Sequence, residues 1–198
     1  MILTIKKSDE EILESLKGES AVFIIACAGC AVKSHTADKQ AVETISKLLS
    51  DNNIKVLGIE ILGAVCNTQK AQETLSKNIN FQKAKTILFL SCGTGVQAVG
   101  SFSDKRLIAV LNSAAIAAVE PSYSKFCSVC GDCILSYTQG ICPKTRCPKS
   151  LVNGPCGGFV NGKCEIDPAK DCVWVLIYEK LKQNNALDKF LNRFIEPR

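Results

Sequence analysis

The stretch AVFIIACAGC at residues 21–30 joins an uncharged apolar run to a pair of cysteines. The run AVFIIAC predicts a buried strand, because it is short, apolar and rich in residues that favour strands. The amphipathic stretch DKQAVETISKLLSDNN follows it and places Val42, Ile45, Leu48 and Leu49 on one face of a helix. A buried strand followed by an amphipathic helix is the repeating unit of a parallel α/β sheet.

The same alternation continues through about the first 120 residues. MILTI is a candidate edge strand, and SDEEILESL is a predicted helix in which Ser8 and Glu11 have the spacing of a capping box. The remaining predicted elements are the strands KVLGIEIL, TILFLSC and RLIAVLN and the helices TQKAQETLSKN and VQAVGSFSDK. The sequence therefore predicts an α/β fold with a parallel Rossmann-like sheet and flanking helices.

Four cysteines follow the predicted strands of this half: Cys27, Cys30, Cys66 and Cys92. The carboxyl ends of parallel strands lie on one edge of a sheet, so we expect these thiols to converge there. The small residues in CAGC, ILGAVC and SCGTG indicate tight turns or close backbone approaches beside them. We predict a four-thiolate metal or cluster site. A redox-active dithiol of Cys27 and Cys30, and inert buried cysteines, are the alternatives.

The composition changes after about residue 120. The next segment contains few periodic apolar runs, and Gly, Pro, Asn and Lys separate its cysteines: Cys127, Cys130, Cys133, Cys142, Cys147, Cys156, Cys164 and Cys172. Such a segment buries too little apolar surface to order itself, so metal–ligand bonds are expected to organise it. The predicted division is an α/β domain at 1–120, a cysteine-rich cluster-binding domain at 121–172 and a helical tail at 173–198. Asp171 is the predicted N-cap of the tail helix.

The spacing alone does not decide which of these cysteines share a site. The run Cys127-x2-Cys130-x2-Cys133 is typical of an iron–sulfur cluster, with Cys142 or Cys147 as the fourth ligand. The later cysteines then supply a second site, either a cluster or a tetrahedral zinc. The rival hypothesis is that this whole half binds only structural zinc. Lys144, Arg146 and Lys149 are candidates to offset the negative charge of the thiolates.

Composition limits the classes of function. The chain has 198 residues, twelve cysteines, one histidine and a formal charge of +5. Dense cysteine without a signal peptide or a membrane span predicts a cytoplasmic protein whose thiols bind metal rather than form disulfides. The scattered, modest charge does not indicate a nucleic-acid partner, and no membrane partner is expected.

One long pattern resembles a known family. CSVCGDCILSYTQGICPKTRCPKSLVNGPCGGFVNGKCEI, followed by DCVWVLIYEKLK, resembles the zinc-binding-like C-terminal domain of methylenetetrahydrofolate reductases. Together with CAGC and SCGTGVQ in the first half, the chain is similar to the small, V-type iron–sulfur subunits of these reductases in acetogenic and related bacteria. The resemblance covers about residues 20–185.

This resemblance implies a role in one-carbon metabolism. A separate catalytic subunit would hold the flavin and bind methylenetetrahydrofolate, whereas this chain would carry [4Fe–4S] clusters and pass electrons to that flavin. Two clusters are favoured, three are the upper limit, and zinc is an alternative at one C-terminal site. Ferredoxin or further electron-transfer subunits are the implied donors. The chain itself would be non-catalytic and would hold no flavin. The alternative is a zinc-binding accessory subunit that organises the complex without transferring electrons.

Overall fold

The structure is a computed structural model, and it describes residues 1–118, 125–192 and 194–196. The chain divides into two compact units. The first comprises Met1–Ala115, and the second comprises Ile116–Ala118 and the described residues from Lys125 onward. The division into three segments expected from the sequence stays a prediction.

A four-stranded parallel sheet forms the centre of the first unit. Its strands are β2 (Ala21–Cys27), β3 (Lys55–Leu62), β4 (Thr86–Leu90) and β5 (Arg106–Ala109), in the order β3-β2-β4-β5. Every residue of β4, and all but the first of β2, is buried, because both strands are central in the sheet. The predicted α/β fold with a parallel sheet is confirmed.

Helices flank this sheet, as the periodic apolar stripes predict. They are α1 (Asp9–Ser15), α2 (Cys30–Lys33), α3 (Lys39–Asp51), α4 (Thr68–Leu75), α5 (Ile79–Lys83) and α6 (Gly93–Gly100). Polar side chains cap several of them: Ser8 accepts the Glu11 N–H at 3.2 Å and Asp38 accepts the Ala41 N–H at 2.9 Å. The Glu11 carboxylate pairs with the Lys7 ammonium group.

The N-terminal strand β1 (Ile2–Lys6) lies outside the parallel sheet, beside β6 (Leu111–Ala117). The predicted strand RLIAVLN is therefore divided between β5 and β6. Val110 explains the break: its N–H donates to the Phe89 carbonyl at 3.1 Å, whereas its own carbonyl accepts from the Lys7 N–H at 2.9 Å. The chain changes its hydrogen-bonding partner at this one buried residue.

The second unit has less regular structure. It contains β7 (Lys125–Cys127), α7 (Pro143–Arg146), α8 (Val173–Gln183) and α9 (Leu187–Leu191). The end of β6 pairs antiparallel with β7, with Ile116 opposite Cys127. Its main apolar cluster consists of Ile141, Cys172, Val173, Trp174, Ile177 and Leu181. Trp174 belongs to this core: it is buried, and its indole N–H donates to the Leu151 carbonyl at 3.0 Å.

One expectation for the tail was wrong. Cys172, and not Asp171, is the N-cap of α8. The Asp171 carboxylate instead accepts from the Lys163 ammonium group at 2.6 Å, because a small loop brings the two side chains together. The second helix of the tail, α9, ends at Leu191, and Phe194 is 73% exposed. In the described part of the chain, no helix is long and apolar enough to span a membrane.

Candidate metal centres

The first candidate centre lies at the carboxyl edge of the parallel sheet. Cys27 is the last residue of β2, Cys30 the first residue of α2, and Cys92 the N-cap of α6 directly after β4. Cys66 lies in the loop between β3 and α4. β2 has β3 on one side and β4 on the other, so the chain reverses its direction of winding here. Crevices at such a switch point are the usual ligand sites of open α/β sheets.

The surroundings of Cys66 indicate that the four thiols converge. Desolvation raises the pKa of the Cys66 thiol, and the nearby sulfurs of Cys92, Cys27 and Cys30 raise it further. The residue as a whole is exposed, but its thiol group is partly surrounded by protein atoms. Cys27 and Cys92 are themselves buried. The other three predicted ligands therefore lie within electrostatic range of Cys66.

Two glycines permit this approach. A Cβ at Gly29 would lie 3.2 Å from the Gly63 carbonyl oxygen and 3.5 Å from the Cys27 sulfur. A Cβ at Gly95 would lie 2.9 Å from the Ser91 hydroxyl and 3.1 Å from the Val65 side chain. The first contact brings the CAGC turn against the loop that carries Cys66, and the second brings α6 against the same loop. The close approaches predicted for CAGC and SCGTG are present.

The donor set fits a thiophilic metal centre. All four side chains are thiols, which select zinc and iron–sulfur clusters over hard cations. Among the described residues, no group of three or more Cys, His, Asp or Glu stands in an arrangement that binds an ion directly. Binding would therefore require the thiols to turn toward a common point. Such adjustment is expected, since metal binding and local folding are coupled.

His35 lies just before α3. Its side chain is 70% exposed, and its Nδ1 lies 3.2 Å from the Asp38 carboxylate, which is the N-cap of α3. The hydrogen bond from the Ala41 N–H lowers the pKa of Asp38 most, and the hydrogen bond to His35 lowers it further. Desolvation opposes them, and the pKa stays below its ordinary value. His35 therefore supports a helix start.

The second unit carries the CxxCxxC run on a tight loop. Val129 and Gly131 both have positive φ values, 55° and 75°. This conformation turns the backbone so that the Val129 N–H donates to the Cys127 sulfur at 3.3 Å. The Cys130 thiol donates to the Asp132 carbonyl at 3.5 Å. A backbone N–H that points at a cysteine sulfur stabilises the negative charge of a thiolate, and such bonds tune cluster potentials.

Helix α7 holds this loop through side-chain contacts. The Lys144 ammonium group donates to the Asp132 carboxylate at 2.7 Å and to the Asp132 carbonyl at 3.0 Å. The Thr145 hydroxyl donates to that of Ser128 at 3.3 Å, and it lies 3.6 Å from the Cys142 sulfur. Cys142, the N-cap of α7, is thereby placed beside the CxxCxxC loop.

A carboxylate that the sequence did not single out lies beside Cys156. The Cys156 thiol donates to Glu165 at 3.2 Å, and the Lys149 ammonium group donates to the same carboxylate oxygen at 2.5 Å. The Lys149 hydrogen bond lowers the pKa of Glu165, and the same bond raises the pKa of Lys149. Gly158 leaves room for the carboxylate, because a Cβ there would clash with the Glu165 side chain. Eight residues without helix or strand separate Cys156 from Glu165, so no periodicity could reveal this contact.

These features define the class: a parallel α/β unit with thiols gathered at one sheet edge, followed by a cysteine-rich unit with little regular structure. Residues 110–198 match the protein family described as methylene-tetrahydrofolate reductase C terminal. The match relates the chain to the methylenetetrahydrofolate reductase system through its second half. Searches among curated proteins and among solved structures found no match to the chain.

Proposed function

We propose that this chain is an iron–sulfur electron-transfer subunit, which delivers electrons to the flavin of a partner methylenetetrahydrofolate reductase catalytic subunit. The observation that carries the proposal is the position of Cys27, Cys30 and Cys92 at strand and helix ends beside the switch point of the sheet, within electrostatic range of Cys66. The family match over residues 110–198 supports the choice of partner.

The proposed ligands are thiols in both units. Cys27, Cys30, Cys66 and Cys92 would hold one [4Fe–4S] cluster, and cysteines of the second unit would hold at least one further centre. A bound cluster of this kind takes up and releases single electrons at a potential set by its surroundings. The chain contributes buried ligands at Cys27 and Cys92, which limit the access of water to that centre. The Val129 N–H contributes a hydrogen bond to the Cys127 sulfur.

The proposed role is non-catalytic and cytoplasmic. The partner subunit would bind the folate substrate and the flavin, while this chain would receive electrons from ferredoxin or from a further electron-transfer subunit. The late cysteines are interspersed with Lys144, Arg146 and Lys149. The positive charge of these side chains would offset the negative charge of thiolate-held centres.

A structural zinc role is the second candidate, and the second unit supplies the observation that favours it. Between α7 and α8 the chain forms isolated bridges, Val160 with Lys163 and Lys163 with Asp171, and few apolar residues are buried there. Bonds to Zn²⁺ can fold such a segment without any electron transfer.

Anaerobic purification followed by quantification of iron, acid-labile sulfide and zinc tests the proposal. We expect about four irons per cluster, a brown protein and an EPR signal after reduction. The reduced chain should then bleach the flavin absorbance of the catalytic subunit, and it should copurify with that subunit. A colourless protein that contains zinc alone would overturn electron transfer and leave the structural role.

A further inference from the structure

A cavity of about 180 Å³ in the second unit collects late cysteines of the chain. The four that line it are Cys147, Cys156, Cys164 and Cys172. Spacing alone could not group them, because Cys142 and Cys147 were equal candidates for the CxxCxxC site. We propose that these four thiols form a separate metal site for one thiophilic centre, either a single Zn²⁺ or an iron–sulfur cluster.

The backbone holds the cysteines of this cavity by short hydrogen bonds. The Cys172 N–H donates to the Gly162 carbonyl at 2.7 Å, and the Cys164 N–H donates to the Lys170 carbonyl at 2.9 Å. Both bonds belong to the small loop closed by the Val160–Lys163 and Lys163–Asp171 bridges. The loop therefore fixes the spacing of these two thiols at the start of α8.

The other two thiols reach the cavity from different parts of the chain. Cys147 directly follows α7, and its N–H donates to the Pro143 carbonyl at 2.9 Å. Cys156 lies in the irregular segment and contacts Glu165 on the cavity wall. Ligands that are eight or nine residues apart in sequence thus meet at one cavity, without a CxxC pair among them.

The walls of the cavity suit a negatively charged thiolate centre. Arg146, Lys149 and Lys170 line it, and so do the carboxylates of Glu165 and Asp171. Lys149 pairs with Glu165 and Lys170 with Asp167, so the lining keeps a small excess of positive charge. That excess opposes part of the net negative charge that four thiolates leave on a divalent ion or on a cluster. Trp174, Phe159 and Val173 complete the wall and provide an apolar surrounding, which strengthens metal–thiolate electrostatics.

Cys142 belongs with the other group. It does not line this cavity. Its sulfur lies 3.6 Å from the hydroxyl of Thr145, a residue at the cavity wall that also bonds to Ser128 in the CxxCxxC loop. The twelve cysteines then divide into three groups of four: the sheet-edge group, the group of Cys127, Cys130, Cys133 and Cys142, and the cavity group. This division rests on the proposed role of the cysteines as metal ligands, and it does not depend on electron transfer.

Paired substitutions in the full-length chain test the grouping, with metal content per chain as the readout. Each variant is purified anaerobically, and its iron, sulfide and zinc are quantified. Cys147→Ser should lose one centre, and Cys147→Ser/Cys164→Ser should lose the same single centre. The matched pair Cys147→Ser/Cys142→Ser should lose two. The element that disappears distinguishes zinc from a cluster.

The grouping is overturned if Cys147→Ser/Cys142→Ser loses one centre, or if Cys147→Ser/Cys164→Ser loses two. If a variant fails to fold, the grouping is tested instead by removing metal stepwise from the unsubstituted protein. Alkylation followed by mass spectrometry should then show the four cavity cysteines becoming reactive together and Cys142 becoming reactive with another set. Any other pattern contradicts the proposal. Zinc at every site would overturn electron transfer while leaving the grouping intact.

Discussion

The Lys144 ammonium group lies 2.7 Å from the Asp132 carboxylate and also donates to the Asp132 carbonyl. The Lys144 side chain is 13% exposed and the Asp132 side chain 35%, so the ion pair is partly shielded from solvent. It joins α7, which Cys142 caps, to the loop that carries Cys130 and Cys133. The pair therefore helps to hold one proposed set of ligands together.

Replacing Lys144 should weaken this connection. Lys144→Met leaves the Asp132 carboxylate without its main cationic partner, so we expect the free energy of unfolding to fall by about 1–3 kcal/mol. We also expect faster loss of metal to a chelator. Urea unfolding and chelator-release kinetics measure the two effects. Lys180→Met, at an exposed position on α8, is the control; equal behaviour of the two variants would show that the pair has no such role.

The close packing at Gly95 gives a second prediction. In Gly95→Ala the new Cβ would meet the Ser91 hydroxyl at 2.9 Å and the Val65 side chain at 3.1 Å. The resulting displacement should destabilise the protein by about 1–3 kcal/mol and lower the metal content of the sheet-edge site. Gly63→Ala is the matched control, because no atom lies within 4 Å of a Cβ there. Thermal unfolding and metal analysis should separate the two variants, and similar losses in both would contradict the packing argument.

The loss of folding stability at acidic pH should depend on Glu19. The Thr86 hydroxyl donates to its carboxylate at 2.6 Å, and Arg106 donates to the other oxygen at 2.6 Å. The Thr86 hydrogen bond lowers the pKa of Glu19 most, and the hydrogen bond and charge of Arg106 lower it further, whereas desolvation raises it. Because the pKa of Glu19 is lower in the folded state than its ordinary value of 4.5, the charged carboxylate stabilises the fold at pH values above 4.5. That stability is lost as the pH falls from there through the folded pKa.

Glu19→Gln should therefore cost about 1–2 kcal/mol at neutral pH, since half of the Arg106 side chain is exposed and screened. The difference from the unsubstituted protein should shrink as the pH falls below 4.5. Denaturant unfolding across this pH range gives the measurement. Glu14→Gln, at a carboxylate that is 75% exposed, should change stability little at any pH. A pH-independent deficit in Glu19→Gln would refute the role of its charge.

The sheet-edge thiols should act as one set. Cys30→Ser and Cys66→Ser should each remove the same single metal centre, because a four-thiolate site loses most of its affinity with any one ligand. The double variant should remove no more metal than either single one. Ala64→Ser changes an exposed neighbour in the same loop and should keep the full metal content. Two separate losses in the double variant would place Cys30 and Cys66 in different sites.

Local patterns in the sequence were sufficient for the central strands of the first unit. The apolar runs that became β2, β3 and β4 and the amphipathic stripes between them depend on neighbours in the chain, so periodicity predicted them. The prediction that strand-end cysteines meet followed from the topology of parallel sheets alone. In the structure Cys66 lies within electrostatic range of Cys27, Cys30 and Cys92, and the shared metal site stays a prediction.

The errors lie where distant contacts decide the outcome. Val110 divides the last predicted strand because its two backbone groups bond to different partners. Asp171 does not cap α8 because Lys163 engages its carboxylate. Propensity describes a residue's preference among local conformations, and a hydrogen bond supplied from elsewhere in the chain can override it.

The sequence by itself determined the residue types of the proposed centres: twelve thiols, four after the strands of an α/β unit and eight in a segment too poor in apolar runs to order itself. Only the tertiary structure decided which late thiols share a cavity. Cys147 lines it and Cys142 does not, although they are only five positions apart in the sequence. The physical reason is that irregular chain has no periodicity. Its path is set by contacts such as Lys144 with Asp132 and Cys172 with Gly162, and these appear only once the chain is folded.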